Sequence, residues 1–341
     1  MRALQLLDSR QLAAVDLPDP PPPGPGEVQV RIGAVALNHI DVWGWRGMAF
    51  ARRKLPIVVG VEAAGTVAAI GEGVEGLAPG QVVAIFGAET CGTCEACREG
   101  RENLCENVGG IRGFHIDGLA RELVNLPSRL AIPAPEGVDV IAASCAPVTI
   151  GTPQHMLFDN AGLKEGQTVL IQAGGSGIGT AAIQLAKAVG ATVITTVGSD
   201  DKIEKARALG ADHVINYRED RFESVVRKLT SKRGVDVVFE HVGVDTFAKS
   251  MFCLKRGGTL VTCGSTTGIN CEINLFQLYQ QQLRLIGSFG CSVRNLRETL
   301  DKIAAGVVRP VVDSMIDLDG IDTALSRMES RQVFGKIIVT L

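Results

Sequence analysis

The chain has 341 residues, 46% of them hydrophobic and only 4% aromatic, with a formal net charge of −3. That length accommodates two domains with a large buried core. The near-neutral balance excludes a broad field for nucleic acid or an anionic membrane, and no apolar run approaches the roughly 20 residues that span a bilayer. The N-terminus lacks a signal-peptide core, so the expected compartment is the cytoplasm. Nine cysteines in a reducing compartment do not read as a disulfide framework; four are clustered and five scattered.

The first stretch reads as β-rich. Val28, Val30 and Ile32 alternate on one face, and 60–70 and 81–86 read as further short strands. Five prolines in 19–26 make a stiff connection. No segment with helical period is expected before about residue 138, so this half is expected to be an antiparallel barrel or sandwich. The character changes near Gly151. Strands are expected at 168–172, 192–197, 214–217, 235–240, 259–263 and 283–288. Helices are expected at 178–189, 202–209, 222–229 and 246–254. This alternation, with continuous Val/Ile runs, indicates a parallel sheet covered on both faces. A helix at 296–305 then leads to a closing strand at 336–341, expected to return to the first domain. The expected class is α/β: a β-rich domain at 1–150, a doubly wound domain at 151–286, and a return segment at 287–341.

The strand at 168–172 runs into Ala173-Gly174-Gly175-Ser176-Gly177-Ile178-Gly179, and a helix follows at once. Glycines there allow a tight turn and close approach of backbone to a pyrophosphate. The helix N-terminus presents free N–H groups to phosphate, and the Ser176 hydroxyl is expected to donate to it as well. The second strand of the βαβ unit ends Thr196-Val197-Gly198-Ser199, without the acid that would hold a ribose 2′-hydroxyl. Ser199, Lys202, Tyr217 and Arg218 are placed to surround a 2′-phosphate, so NADP is favoured over NAD. Asp200 and Asp201 count against this but fit the start of the next helix. Val242, Gly264, Ser265 and Ser288 follow the later strands and are further candidates to touch cofactor.

Cys91, Cys94, Cys97 and Cys105 have the short spacings that a closed tetrahedral zinc site requires. The residues between them are glycine-rich and charged. A metal would hold such a lobe together where packing cannot, and a closed four-thiolate site is structural.

Together these features resemble the medium-chain dehydrogenase/reductase superfamily, which includes zinc alcohol dehydrogenases and quinone reductases. The landmarks are Asn38-His39-Ile40-Asp41, Gly60-Val61-Glu62-Ala63-Ala64-Gly65, the cysteine lobe, the glycine turn and Phe334-Gly335-Lys336. The resemblance implies a GroES-like first domain and a Rossmann second domain, a dimer or tetramer built on the sixth parallel strand, and Lys336 as a weaker cofactor candidate. It also exposes departures. Members with a catalytic zinc carry cysteine, histidine and usually a second cysteine where this chain has Asn38, Val61 and Thr149; Cys145 lies four residues before the last position. Glu62, His39 and Asp41 are the residues that would have to improvise a second metal site.

Without that metal, charge developing on substrate oxygen must be met by hydrogen-bond donors. The zinc-free branch, as the resemblance implies, reduces quinones and enones, with an asparagine at the Asn38 position facing nicotinamide and substrate. The expected function is therefore NADPH-dependent reduction of a conjugated carbonyl, with Asn38, His39 and Asp41 as candidate catalytic residues, one structural zinc, a small-molecule substrate, and no nucleic-acid or membrane partner. Two alternatives stand beside it. One is an alcohol or aldehyde dehydrogenase with an atypical or absent metal; the other is a non-catalytic nucleotide-binding redox sensor. Trp43 and Trp45 are candidate pocket walls, and His155 is a candidate proton donor.

Overall fold

The computed structural model describes residues 1–47 and 53–341. The chain divides into two compact units, Met1–Gly151 with Cys291–Leu341, and Thr152–Gly290. The second boundary lies four residues beyond the expected 286/287. The reason is local: the Ser288 N–H donates to Thr262 O at 2.8 Å and its hydroxyl accepts from Asn160 Nδ2 at 2.9 Å, both in the second unit.

In the first unit the strands are β1 (Arg2–Asp8), β2 (Gln11–Asp16), β3 (Glu27–Ala36), β4 (Ile57–Val58), β5 (Ala63–Ile70), β6 (Val82–Ile85), β7 (Leu123–Pro127) and β8 (Ala131–Pro133). The second unit contributes β9 (Thr168–Ile171), β10 (Thr192–Val197), β11 (His213–Asn216), β12 (Val235–Glu240), β13 (Leu254–Thr262) and β14 (Arg284–Gly287). The returning chain adds β15 (Val312–Ile316) and β16 (Lys336–Thr340).

The first unit is built on β3. Val28, Val30 and Ile32 are buried, as the alternation requires. β3 pairs antiparallel with β5, β7 and β16, so the returning C-terminal strand joins the sheet of the first unit. The sheet order is β15-β16-β3-β5-β6-β8, and β2-β1-β4 form a smaller sheet. One apolar core joins Leu4, Val30 and Ile85 to Leu296, Leu325 and Val339, so both ends of the chain are needed to close it. The expectation of a helix-free first half does not hold. A helix spans His39–Trp45 and a shorter one Glu95–Arg98. The first is set by its ends: Asp41 Oδ2 accepts the Asn38 N–H at 2.8 Å, and Gly47 takes a left-handed φ of 79° just beyond the last turn. The return segment also holds a helix, Ile321–Glu329, that was not expected.

The second unit is a parallel sheet in the order β11-β10-β9-β12-β13-β14. Counted from β9 this is 3-2-1-4-5-6, the doubly wound dinucleotide-binding order, whose ligand edge is where β9 and β12 diverge. All six residues of β12 are buried, as a central strand covered on both faces demands. Among the described residues no helix is long and apolar enough to cross a membrane.

Candidate functional site

In the first unit the landmarks Asn38, Glu62, Thr149 and Lys336 meet in one buried cluster. Glu62 is fully buried and is its hub. Its Oε1 accepts the Val148 and Thr149 N–H groups, each at 2.7 Å. These amides are free because the helix Val140–Ser144 ends at Cys145 and a new, wider turn begins at Ala146, with Ile150 N–H bonded back to Cys145 O. A carboxylate at a helix start also meets the positive end of the dipole. Glu62 Oε2 accepts the Thr149 hydroxyl at 2.7 Å, Asn38 Nδ2 at 2.9 Å and Lys336 Nζ at 3.3 Å.

Lys336 completes the arrangement. It is 3% exposed, and its ammonium donates to Leu37 O and, at 2.9 Å, to Asn38 Oδ1 besides Glu62. An ammonium has three protons, and three oxygens take them. Lys336 therefore belongs to this cluster, a correction to the expectation that it meets cofactor. A second correction concerns Asn38. Its two amide N–H groups donate to Ala36 O and Glu62 Oε2, each at 2.9 Å, so neither is left for a substrate oxygen. The neighbours fix the amide orientation: only Oδ1 can accept from the ammonium, and only Nδ2 can donate to the carboxylate. Asp41 ties down the helix start. Burial pushes its carboxyl up to about 6, against the Asn38 N–H and the Lys336 charge, and its Oδ1 has no hydrogen-bond partner among the described residues. His39 is half-buried, its ring edge-on to Trp43 at 5.6 Å. Trp45 is a packing residue rather than a pocket wall: it is buried, bonded to Asp322 at 3.0 Å and covered by Arg10. His155 pairs with Asp159 at 2.9 Å.

The donor set does not fit a catalytic divalent metal. Val61 is alkyl, and the Asn38 amide and Thr149 hydroxyl are spent on Glu62. Burial and the Glu62 charge push the Cys145 thiol up to about 12, which keeps it a neutral thiol. The Lys336 ammonium repels a second cation from the same oxygens. Both Glu62 oxygens are already occupied, which also rules out the improvised set of Glu62, His39 and Asp41.

The cysteine lobe does fit a metal. The ligand atoms of Cys91, Cys94, Cys97 and Cys105 lie within 4.8 Å of one another; among the described residues no other group of His, Cys, Asp and Glu is arranged to hold an ion. Cys91 is 3.6 Å from Cys105 and 4.0 Å from Cys97. A zinc with bonds of about 2.3 Å places its four sulfurs about 3.8 Å apart, whereas a disulfide would bring two to about 2 Å. The Thr93 and Cys94 N–H groups pull the Cys91 thiol down to about 5. Burial pushes Cys97 up to about 12; a cation at the centre opposes that desolvation. Glu102 ties the lobe to the fold by accepting the Val293 N–H at 3.1 Å, at the start of the helix Val293–Ala304.

In the second unit the remaining candidates share one sheet edge. Gly174 to Gly179 follow β9, Ser199 and Lys202 follow β10, and Tyr217 follows β11. Val242 follows β12, Gly264 and Ser265 follow β13, and Ser288 follows β14. Parallel pairing puts all these ends on the carboxyl side of the sheet. Gly174 is required sterically, since a β-carbon there would lie 2.2 Å from Thr195 Oγ1. Ser176 caps the helix: its Oγ accepts from Gly179 N at 3.0 Å and donates to Ala173 O at 2.8 Å. Its proton is thus committed, a correction to the expectation that it donates to phosphate. The Val242 N–H is likewise held, by Glu240 Oε1 at 2.7 Å. The Tyr217 hydroxyl lies over Gly198, 2.5 Å from where a β-carbon would be, so the tip of β10 admits no side chain there. Ser199 bonds Asp201 and lowers its pKa.

Comparison with known proteins agrees with this architecture. Residues 24–136 match the alcohol dehydrogenase GroES-like domain and residues 177–305 the zinc-binding dehydrogenase domain. The chain is similar to an acryloyl-coenzyme A reductase of Metallosphaera sedula, 30% identical over 343 residues that cover 100% of both chains. It is equally similar to an alcohol dehydrogenase of Geobacillus stearothermophilus, 30% identical over 347 residues covering 100% of this chain and 99% of the relative. A solved NAD-dependent alcohol dehydrogenase superposes with a TM-score of 0.94 at 38% identity over 100% of both chains.

Proposed function

The chain belongs to the zinc-type medium-chain dehydrogenase/reductase superfamily, and from that premise we propose that it is an NADPH-dependent reductase of a conjugated carbonyl, a quinone or enone, working without a catalytic metal. The observation that carries this reading is the Lys336 ammonium among Leu37 O, Asn38 Oδ1 and Glu62 Oε2, where a catalytic metal would need free ligands. The likeness to an acryloyl-coenzyme A reductase supports it, since that substrate is a conjugated thioester. The four-cysteine lobe carries one structural zinc, which cross-links the lobe and takes no part in the reaction.

When bound, the nicotinamide supplies the hydride. The glycine turn and the Gly177–Ala188 helix start hold the pyrophosphate with backbone N–H groups. Ser199, Lys202 and Tyr217 meet the adenosine end. Asn38 acts by shape, holding the helix that presents His39, and His39 is the donor proposed to face the substrate oxygen. Lys202→Ala is expected to weaken NADPH at least about tenfold and leave NADH unchanged, because it removes a charge-assisted contact to the 2′-phosphate alone. Titration of both cofactors by fluorescence checks this, and an equal loss for the two would contradict the phosphate assignment. Turnover is tested by NADPH oxidation with a panel of quinones and enones, set against NAD(P)⁺ reduction with alcohols.

The second reading, an alcohol dehydrogenase using NAD, draws on the names of the solved neighbour and the Geobacillus relative; faster turnover in the alcohol direction would select it. The third reading is a non-catalytic nucleotide-binding redox sensor; Cys145 and Cys263 do not supply it with a reactive thiolate, since burial pushes both up to about 12. Tight NADPH binding with no substrate turned over would favour it. The cytoplasm, a homodimer or homotetramer, and a small-molecule substrate complete the proposal. β14 is the outer strand of its sheet, and Leu275, Phe276 and Tyr279 are exposed just before it, which suits edge pairing with a second copy.

A further inference from the structure

Ala173 opens the glycine-rich turn with a left-handed φ of 50°, although it is not glycine. A residue with a β-carbon is disfavoured there, and such strain persists only where the surroundings over-determine it. The surroundings are a single-file chain of hydrogen bonds through the sheet. The Ala173 N–H donates to Thr196 Oγ1 at 3.0 Å, and that hydroxyl donates to Gln172 Oε1 at 2.7 Å. Gln172 Nε2 donates to Ser250 Oγ at 2.9 Å, which donates to Glu240 Oε2 at 2.8 Å. Gln172, Thr196, Ser250 and Glu240 are all buried.

The order of the chain matters. A carboxylate only accepts, so it fixes the sense of every donor that leads to it. Ser250 must donate to Glu240, which leaves its lone pair for the Gln172 NH₂. That sets the Gln172 carbonyl toward Thr196, and Thr196 must then spend its proton on Gln172. With its proton spent, the Thr196 oxygen can only accept, and it receives the Ala173 N–H. The other Glu240 oxygen gathers the N–H groups of His241 at 2.9 Å and Val242 at 2.7 Å, which anchors the carboxylate in the β12 end loop. Bonds aligned head to tail also polarise one another.

We propose that Thr196 and Gln172, anchored through Ser250 on Glu240, are positioning residues that hold Ala173 left-handed and so set the glycine-rich turn for the cofactor pyrophosphate. None of them touches cofactor; they act through Ala173. The proposal rests on the reading that this turn binds NAD(P)H.

The test compares Thr196→Val with Thr196→Ser. Valine keeps the shape and removes both the acceptor for Ala173 and the donor to Gln172; serine keeps the hydroxyl. NADPH and NADH dissociation constants and the split between cofactor KM and kcat are measured on the full chain, with thermal unfolding alongside. Thr196→Val is expected to raise Kd for both cofactors about tenfold and to move KM more than kcat, with Thr196→Ser returning to near the wild-type value. If Thr196→Val fails to fold, Gln172→Glu supplies the second arm. It keeps size but puts a carboxylate where Ser250 met an NH₂, and the same loss of cofactor affinity is expected. Unchanged affinity in a folded Thr196→Val, or serine as weak as valine, overturns the proposal. Failure of the wild-type chain to bind either cofactor overturns instead the reading of the turn itself.

Discussion

Lys336→Met is expected to destabilise the first unit by about 3–5 kcal/mol, because it leaves the buried Glu62 carboxylate without its cation. Lys336 is 3% exposed and Glu62 fully buried, so water cannot take the place of the ammonium. Methionine is close to lysine in volume, so a cavity adds little. Urea unfolding measures the loss, and a change below about 1 kcal/mol would show that the cluster is not held by this pair. The double variant Lys336→Met with Glu62→Gln isolates the coupling. Removing both charges should recover part of the loss, since an amide at 62 still meets the Val148 and Thr149 N–H groups through its oxygen.

The second large effect concerns the cysteine lobe. Cys97→Ser is expected to empty the metal site and unfold residues 91–105 locally while the two cores stay folded. The lobe's own packing is small: its buried cluster is Cys94, Ala96 and Cys97, with Cys91 and Cys105 against it. Its helices are Glu95–Arg98 and the single turn Glu102–Leu104, too short to stand alone. A metal bound by the four thiolates would therefore supply most of the folding energy of the lobe. Trypsin should cut after Arg98 or Arg101 at least about tenfold faster in the variant, since opening by about 1.4 kcal/mol raises the open population by that factor. Equal protection in variant and wild type would mean that packing, not metal, holds the lobe.

Much of the second unit was legible in the sequence. Its central strands are rich in Val, Ile and Leu, a pattern set by burial on both faces, and the helix at 222–229 and the strands at 192–197 and 235–240 fall where the sequence places them. The first unit was harder. His39–Trp45 is seven residues long, under two turns, too short for a helical period to emerge. β1 and β2 were missed because their patterns hardly alternate: Leu6 and Leu7 are adjacent, one buried and one exposed. The four cysteines were legible because their contacts are local.

The Glu62 cluster was legible only in its members. Asn38, Glu62, Thr149 and Lys336 were each singled out, but Lys336 is 274 residues from Glu62, and no spacing rule spans that. The sequence alone places Asn38 among the candidate catalytic residues because nothing local shows that Ala36 O and Glu62 consume both its amide protons. The one available signal was the lysine itself, a charged residue directly before the apolar run Ile337-Ile338-Val339, which needs a partner if it is buried with that run.

On the proposed function, this member of the superfamily binds zinc at the cysteine lobe alone, and Lys336 with its oxygens fills the place of a catalytic metal. Metal analysis of the purified, active enzyme decides between one site and two. About one zinc per chain is expected, lost in Cys97→Ser; two zincs per chain, with one retained in that variant and required for turnover, would overturn the assignment.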